Sequence, residues 1–279
     1  MKTLVINMEK DTVRLARITE QLSSQKIDHV IMKAVDGSKH DMSGVTEMCK
    51  MVCTKSMIGI MLSHISCWKY IVDNNLDKAI ILEDDAIIEN NFIEKSQELV
   101  DSIRQEDKDK WELILLGCFL CSYNGNDLLS KIIMKINNPT KSAVDKKYND
   151  LLYVPSSWGG THAYMLSNKG ARKLLLKLSD ASYHVDFQMA HTNIHTLAAR
   201  KKLATQNADA SESHNTSSIP WVNVFKIDHG ELDADFILTM PIGQILGVKI
   251  TAFLILQIIA FAIVLYIARK GYYRYLVKK

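Results

Sequence analysis

The run Ala79-Ile80-Ile81-Leu82 ends abruptly in Glu83-Asp84-Asp85. An apolar, partly β-branched run of this kind reads as a buried strand, and such strands belong to sheets covered by helices. The acids stand at or just past its C-terminal end, where open α/β sheets bind ligands. Three neighbouring carboxylates repel one another. A divalent cation removes that repulsion, and hard oxygen donors suit magnesium or manganese. Such an ion commonly clamps the phosphates of a nucleotide. The competing reading is a solvated acidic turn that caps the next helix.

The sequence around this run supplies the rest of an α/β domain. Lys2–Met8 reads as a short strand, its apolar run too brief for a signal peptide. Asp11 is placed to cap a helix reaching about Ser23, with Val13, Ile18 and Leu22 apolar. His29–Ala34 reads as a second strand and residues 38–55 as an irregular polar loop. Met57–Asn75 is a helix with Ile58, Met61, Ile65, Trp68 and Val72 on one face. After the acidic strand come a helix over Ile93–Arg104 and a strand over Trp111–Gly117. This β-α-β-α-β order predicts a mostly parallel sheet. Residues 122–150 read as an excursion, Leu151–Val154 and Thr161–Leu166 as strands, and Asn168–Leu178 as a helix. A further helix is expected from about Asp186 to Arg200, then a Ser/Asn-rich loop over 205–218.

Five of the 34 basic residues, Arg269, Lys270, Arg274, Lys278 and Lys279, crowd into the last eleven positions. The rest of the chain is slightly acidic, which gives no support to nucleic-acid binding. Cys49, Cys53, Cys67, Cys118 and Cys121 are odd in number and scattered, unlike a disulfide framework. Cys118-x-x-Cys121 lacks a second pair, and His191 and His195 lack the glutamate of a metalloprotease motif.

Ile250–Ala268 contains no charge and is long enough to cross a ~30 Å hydrocarbon core as a helix. With the basic tail behind it, it is expected to be a single-pass C-terminal anchor in the lipid bilayer. The expected division is therefore a catalytic body over 1–244, an anchor over 245–268 and a basic tail over 269–279. Unpaired cysteines and the missing leader favour a cytosolic body, whereas the sequon Asn215-Thr216-Ser217 would matter only in a lumenal one.

Four segments together carry a family likeness. They are Val5-Ile6-Asn7 with Arg14 and Ala34-Val35-Asp36-Gly37; Ile58-Gly59 with Leu62-Ser63-His64 and Trp68; Ile81-Leu82-Glu83-Asp84-Asp85; and Gly160-Thr161-His162-Ala163-Tyr164 with Ser167, Gly170-Ala171 and Lys173-Leu174-Leu175. In order and spacing they resemble glycosyltransferase family 25, the lipooligosaccharide and procollagen galactosyltransferase group, over roughly residues 3–190. The resemblance implies a GT-A-like nucleotide-sugar domain that uses Mn2+ or Mg2+. It also implies inverting transfer of a hexose, galactose or glucose, from a UDP-sugar donor to a glycan, glycolipid or glycoprotein acceptor.

By match to the family's motifs, Asp84 and Asp85 are the metal ligands. Asn7, Arg14, Asp36, Gly37, Ser63, His64, Glu83, Gly160, Thr161 and His162 line the donor and acceptor side. Asp186, shortly after the Gly-Ala helix, is the candidate general base for the acceptor hydroxyl. Each has a structural alternative: a surface arginine for Arg14, a turn cap for Asp36, a packed core histidine for His64 and a helix cap for Asp186. The family often has Cys where Ile60 stands, and its usual ending is not recognisable beyond residue 200. The rival functions are a metal-dependent phosphohydrolase and a catalytically silent, membrane-tethered binding module.

Overall fold

Lys2–Asn7 forms β1, five of its six residues buried. In the computed structural model it pairs in parallel with β2 (His29–Lys33) on one side and β3 (Lys78–Glu83) on the other. The structure describes residues 1–119, 145–156 and 158–207, and beyond them 228–229, 232–233, 241–245, 248–251, 254–263 and 265–266. The connections follow the hydrophobic pattern. Helix α1 (Thr12–Ser24) buries Ile18 and Leu22, and Asp11 precedes it without a side-chain cap bond. The stretch expected as loop contains a short helix, α2 (Glu47–Val52). Then α3 (Lys55–Asp73) buries Met57, Ile58, Met61, Ile65, Trp68 and Ile71. β4 (Ala86–Ile88), α4 (Phe92–Asp101), β5 (Leu113–Phe119), β6 (Lys146–Lys147) and β7 (Leu152–Val154) complete the first half.

The sheet is mixed, not mostly parallel. β8 (Gly159–Ser167) inserts between β3 and β5, antiparallel to both. After α5 (Asn168–Lys177) and α6 (Val185–Ala190), β9 (Thr196–Ala199) runs parallel to β5. β7 and β6 close the edge antiparallel, giving the order β2-β1-β3-β8-β5-β9-β7-β6. The cause is β8 itself. Its last seven residues, Thr161–Ser167, are all buried, so it needs a neighbour on each side. The consequence is functional. An antiparallel β8 begins where β3 ends, and Gly160–His162 therefore lies beside the acids.

The helix expected over residues 186–200 is short. It stops at Ala190, turns through Asn193 in the left-handed region (φ 57°), and continues as β9. His191 and His195 thus do not share a helix. β10 (Ala204–Gln206) returns to pair with β4. Cys49, Cys53 and Cys118 are disulfide-bonded and Cys67 is a buried free thiol, so the expectation of unpaired cysteines fails for three positions. The argument for a cytosolic body from free thiols goes with it.

The chain divides into two compact units, Met1–Lys50 with Lys55–Asn207, and Met51–Thr54 with Ala208–Lys279. Besides Met51–Thr54, the described parts of the second are two hairpins, β11 (Asp228–His229) with β12 (Leu232–Asp233) and β13 (Pro241–Ile245) with β14 (Val248–Thr251), and helical residues over 254–263 and 265–266. The expected membrane anchor is corrected here. Ile250 and Thr251 are strand residues paired to Gly243 and Pro241, so the apolar run is not one helix. Among the described residues no helix is long and apolar enough to cross a membrane. Cys121, the sequon at Asn215, most of the 122–150 excursion and the basic tail lie outside the described residues.

Candidate active site

The three acids part at the end of β3, Glu83 closing the strand and Asp84 and Asp85 forming the turn after it. Glu83 and Asp84 have different partners. Asp84 accepts from Asn7 Nδ2 at 2.7 Å, and the Arg14 guanidinium reaches its other oxygen at 3.3 Å. Asn7 ends β1 and Arg14 lies in the first turns of α1, so the parallel β1–β3 pairing brings them to the acids. Arg14 also stands 3.7 Å from Asp85 Oδ2, which accepts from Gln206 Nε2 at 2.8 Å. The Asn207 amide donates to the Asp85 carbonyl at 2.9 Å. Both acids are nearly enclosed, at 7% and 8% exposure. Burial pushes both carboxyls up, and the charge of Glu83 adds to it, taking Asp85 to about 7. At Asp84 the Asn7 and Arg14 contacts offset part of the rise.

Asp85 Oδ1 is buried and, among the described residues, has no hydrogen-bond partner. A bare buried carboxylate oxygen calls for a donor or a cation. Among the described residues no three His, Cys, Asp or Glu side chains are grouped to hold a metal. The family resemblance gives Asp84 and Asp85 as the ligands, and Glu83, on the donor side, makes its contacts elsewhere. What remains fits a magnesium-like ion, which takes one or two carboxylates and fills its other positions with water and substrate phosphate.

Glu83 turns instead to β8 and α3. Its Oε1 accepts from Thr161 Oγ1 at 2.7 Å and lies 3.4 Å from His64 Nε2. Burial works to raise this carboxyl, but its contacts with His64 and Thr161 outweigh it and hold the group below the ordinary carboxylate range. His162 is buried near Glu83. A Cβ on Gly117 would come within 2.5 Å of its Nε2, so the ring fills the space a side chain there would need. Burial lowers His162 to about 4, making it a neutral ring at physiological pH.

Gly160 has φ 79°, a conformation that glycine adopts without strain. Its amide donates to Asp186 Oδ2 at 2.8 Å, and the Phe187 amide donates to Asp186 Oδ1 at 2.7 Å. His184, not Asp186, is the N-cap residue of α6. The candidate base is thereby tied to the start of β8, next to the Thr161–Ala163 segment beside Glu83.

Two sequence-predicted positions serve the scaffold. Ser63 Oγ donates to the Gly59 carbonyl at 2.6 Å and accepts from the Val35 amide at 2.8 Å, fastening the loop after β2 to α3. At Gly37 a Cβ would run into the Lys55 carbonyl. Asp36 is more open and caps its own turn, accepting from the Ser38 amide at 3.0 Å. Gln206 was not anticipated. Only the β4–β10 pairing, invisible in the local sequence, brings it to the acids.

The sequence pattern of glycosyltransferase family 25 (LPS biosynthesis protein) matches residues 1–189, which include the acids, Asn7, Arg14, His64, Thr161 and Asp186 but not Gln206. The chain belongs to glycosyltransferase family 25. Among relatives in that family, human procollagen galactosyltransferase 2 is 31% identical over 183 residues, covering 61% of this chain and 26% of that protein. A bovine protein named as a probable inactive glycosyltransferase 25 family member 3 is 28% identical over 186 residues, covering 62% and 28%. The chain spans little more than a quarter of the length of these curated relatives, and relatives named as galactosyltransferases and as inactive members match it over nearly the same share of the chain. The solved galactosyltransferase LgtC, in complex with donor and acceptor sugar analogues, superimposes with a TM-score of 0.41 at 11% identity, over 71% of this chain and 73% of that one.

Proposed function

We propose that the chain is a metal-dependent glycosyltransferase that moves a hexose from a UDP-sugar to a hydroxyl of a glycan, glycolipid or glycoprotein, with inversion. Galactose and glucose are the donors proposed first. The observation that carries the reading is the pair Asp84–Asp85, enclosed at the end of β3 and braced by Asn7, Arg14 and Gln206, with Asp85 Oδ1 unpartnered among the described residues. Asp85 and Asp84 would hold Mn2+ or Mg2+. When bound, that ion supplies positive charge to the leaving diphosphate. Asn7 and Gln206 orient the two carboxylates. Arg14 offsets part of their repulsion and adds positive charge beside the phosphates.

Asp186 accepts the proton of the attacking acceptor hydroxyl. Each of its oxygens receives one backbone amide and keeps a second lone pair for that hydroxyl. The neutral His162 and the Gly160 backbone shape the floor between the acids and Asp186. A silent binding module would keep the same fold, so activity separates the two readings. The test is a panel of nucleotide sugars with Mn2+ and a hydroxyl acceptor, scored for nucleoside diphosphate and for glycosylated product. UDP release coupled to product supports transfer. Free phosphate without sugar transfer supports a phosphohydrolase, and binding without turnover supports the silent module.

A further inference from the structure

Glu83 is backed by three buried side chains that none of the roles above uses. Trp68 and Tyr164 are wholly buried and His64 is 1% exposed. Trp68 Nε1 donates to the Tyr164 hydroxyl oxygen at 3.0 Å. The same hydroxyl lies 2.9 Å from His64 Nδ1, and the two rings stack with centroids 5.7 Å apart. Indole N–H only donates, so the phenol oxygen is the acceptor in the first bond. The phenol proton then needs an acceptor of its own, and among the described residues His64 Nδ1 is the group within reach. This fixes the ring: Nδ1 carries the lone pair and Nε2 carries the proton. That Nε2 is buried and faces Glu83 Oε1 at 3.4 Å.

Direction therefore runs one way, from Trp68 through Tyr164 and His64 to Glu83. Oε1 is taken up by Thr161 and faced by His64, whereas Oε2 makes no hydrogen bond among the described residues and the side chain keeps 22% of its exposure. A carboxylate with one oxygen held from behind and the other open is an aimed acceptor. Its contacts with Thr161 and His64 differ from the Asn7, Arg14 and Gln206 contacts that hold Asp84 and Asp85, and its second oxygen presents an acceptor to an uncharged donor group. The donor group that fits is a hydroxyl.

Resting on the glycosyl-transfer reading, we propose that Glu83 Oε2 accepts a hydroxyl of the transferred hexose, and that Trp68, Tyr164 and His64 are positioning residues that aim it. The first test needs no ligand. Nitrogen-15 NMR of histidine-labelled full-length protein, with the His64 signals assigned by their loss in His64→Gln, reads the ring's tautomer. The Nε2–H form is expected, and the Nδ1–H form overturns the relay whatever the protein binds. The second test is calorimetric titration with UDP and with UDP-galactose, both with Mn2+. Glu83→Ala, Tyr164→Phe and His64→Leu should each weaken UDP-galactose binding by roughly tenfold or more while UDP binding holds, which also shows that the variants are folded. His64→Gln, which keeps an N–H near the Nε2 position, should recover part of the loss. Equal losses for UDP and UDP-galactose, or no loss in Tyr164→Phe, overturn the proposal. If the wild-type protein binds neither, the hydroxyl contact fails together with the glycosyl-transfer reading. The tautomer result then still judges the relay by itself.

Discussion

Asp85 gathers most of the unbalanced electrostatics of the site. It is buried, next to two other acids, and raised to about 7, with one oxygen unpartnered among the described residues. Asp85→Asn keeps the shape and the bond to Gln206 but removes the charge that would hold a cation. Metal-dependent turnover should fall by at least roughly a hundredfold, the scale of one lost electrostatic contact in a transition state. Steady-state rates across a Mn2+ titration, with circular dichroism to verify the fold, check this; undiminished turnover removes the assignment. Asp186→Asn asks a different question. If Asp186 takes the acceptor proton, transfer should be lost while donor binding persists. Because the same carboxylate receives the Gly160 amide, parallel loss of donor binding and thermal stability would make it a strut of β8 instead.

At the scale of elements, the motif around α3 shows what the sequence could and could not disclose. Ile58-Gly59 and Ser63-His64 were legible as a match to the family, but their roles differ. Ser63 binds the loop after β2, and a Cβ on Gly59 would stand 2.5 Å from the Val35 carbonyl. Two backbones pack directly there, and neither can move aside as a flexible side chain would. Gly59→Ala should therefore cost about 1–3 kcal/mol in urea unfolding, the usual cost of overpacking; a change within error would show that the loop simply lifts. Of the elements, β1, α1, β2, α3, β3 and α5 were readable because each carries its own period and its own punctuation. Thr196–Ala199 was not. Its small apolar residues suit a helix locally, and its pairing with β5 decides otherwise. The insertion of β8 between β3 and β5 was equally hidden, since strand order is a matter of long-range contact. Gln206 was lost for the same reason.

For the molecule as a whole, hydropathy misled at the C-terminal side. Ile250–Ala268 has the composition of a spanning helix, yet its first two residues complete a hairpin with Gly243 and Pro241. Hydropathy counts apolar residues but does not see strand pairing. Acid stability is a second property of the whole fold, and here the sign can be worked out. His162 is held neutral at about 4 by burial, against about 6.5 in an unfolded chain. Between these values the unfolded chain binds the proton and the folded one does not, so stability falls as pH drops from about 6.5 to 4 and is unaffected above that window. The full effect is roughly 3 kcal/mol at about 1.4 kcal/mol per unit. Asp85, raised to about 7, acts in the opposite sense over much of the same range, and the wild-type curve alone therefore mixes the two. The difference between wild type and His162→Gln isolates the histidine, because a glutamine side chain does not titrate. Urea unfolding of both at pH 7.5 and pH 4.5, in chelator to keep metal out of the comparison, should show wild type losing more stability on acidification than His162→Gln by on the order of 2–3 kcal/mol. Parallel losses would mean that His162 takes up its proton in the folded state as readily as in the unfolded one, and that burial does not hold the ring neutral.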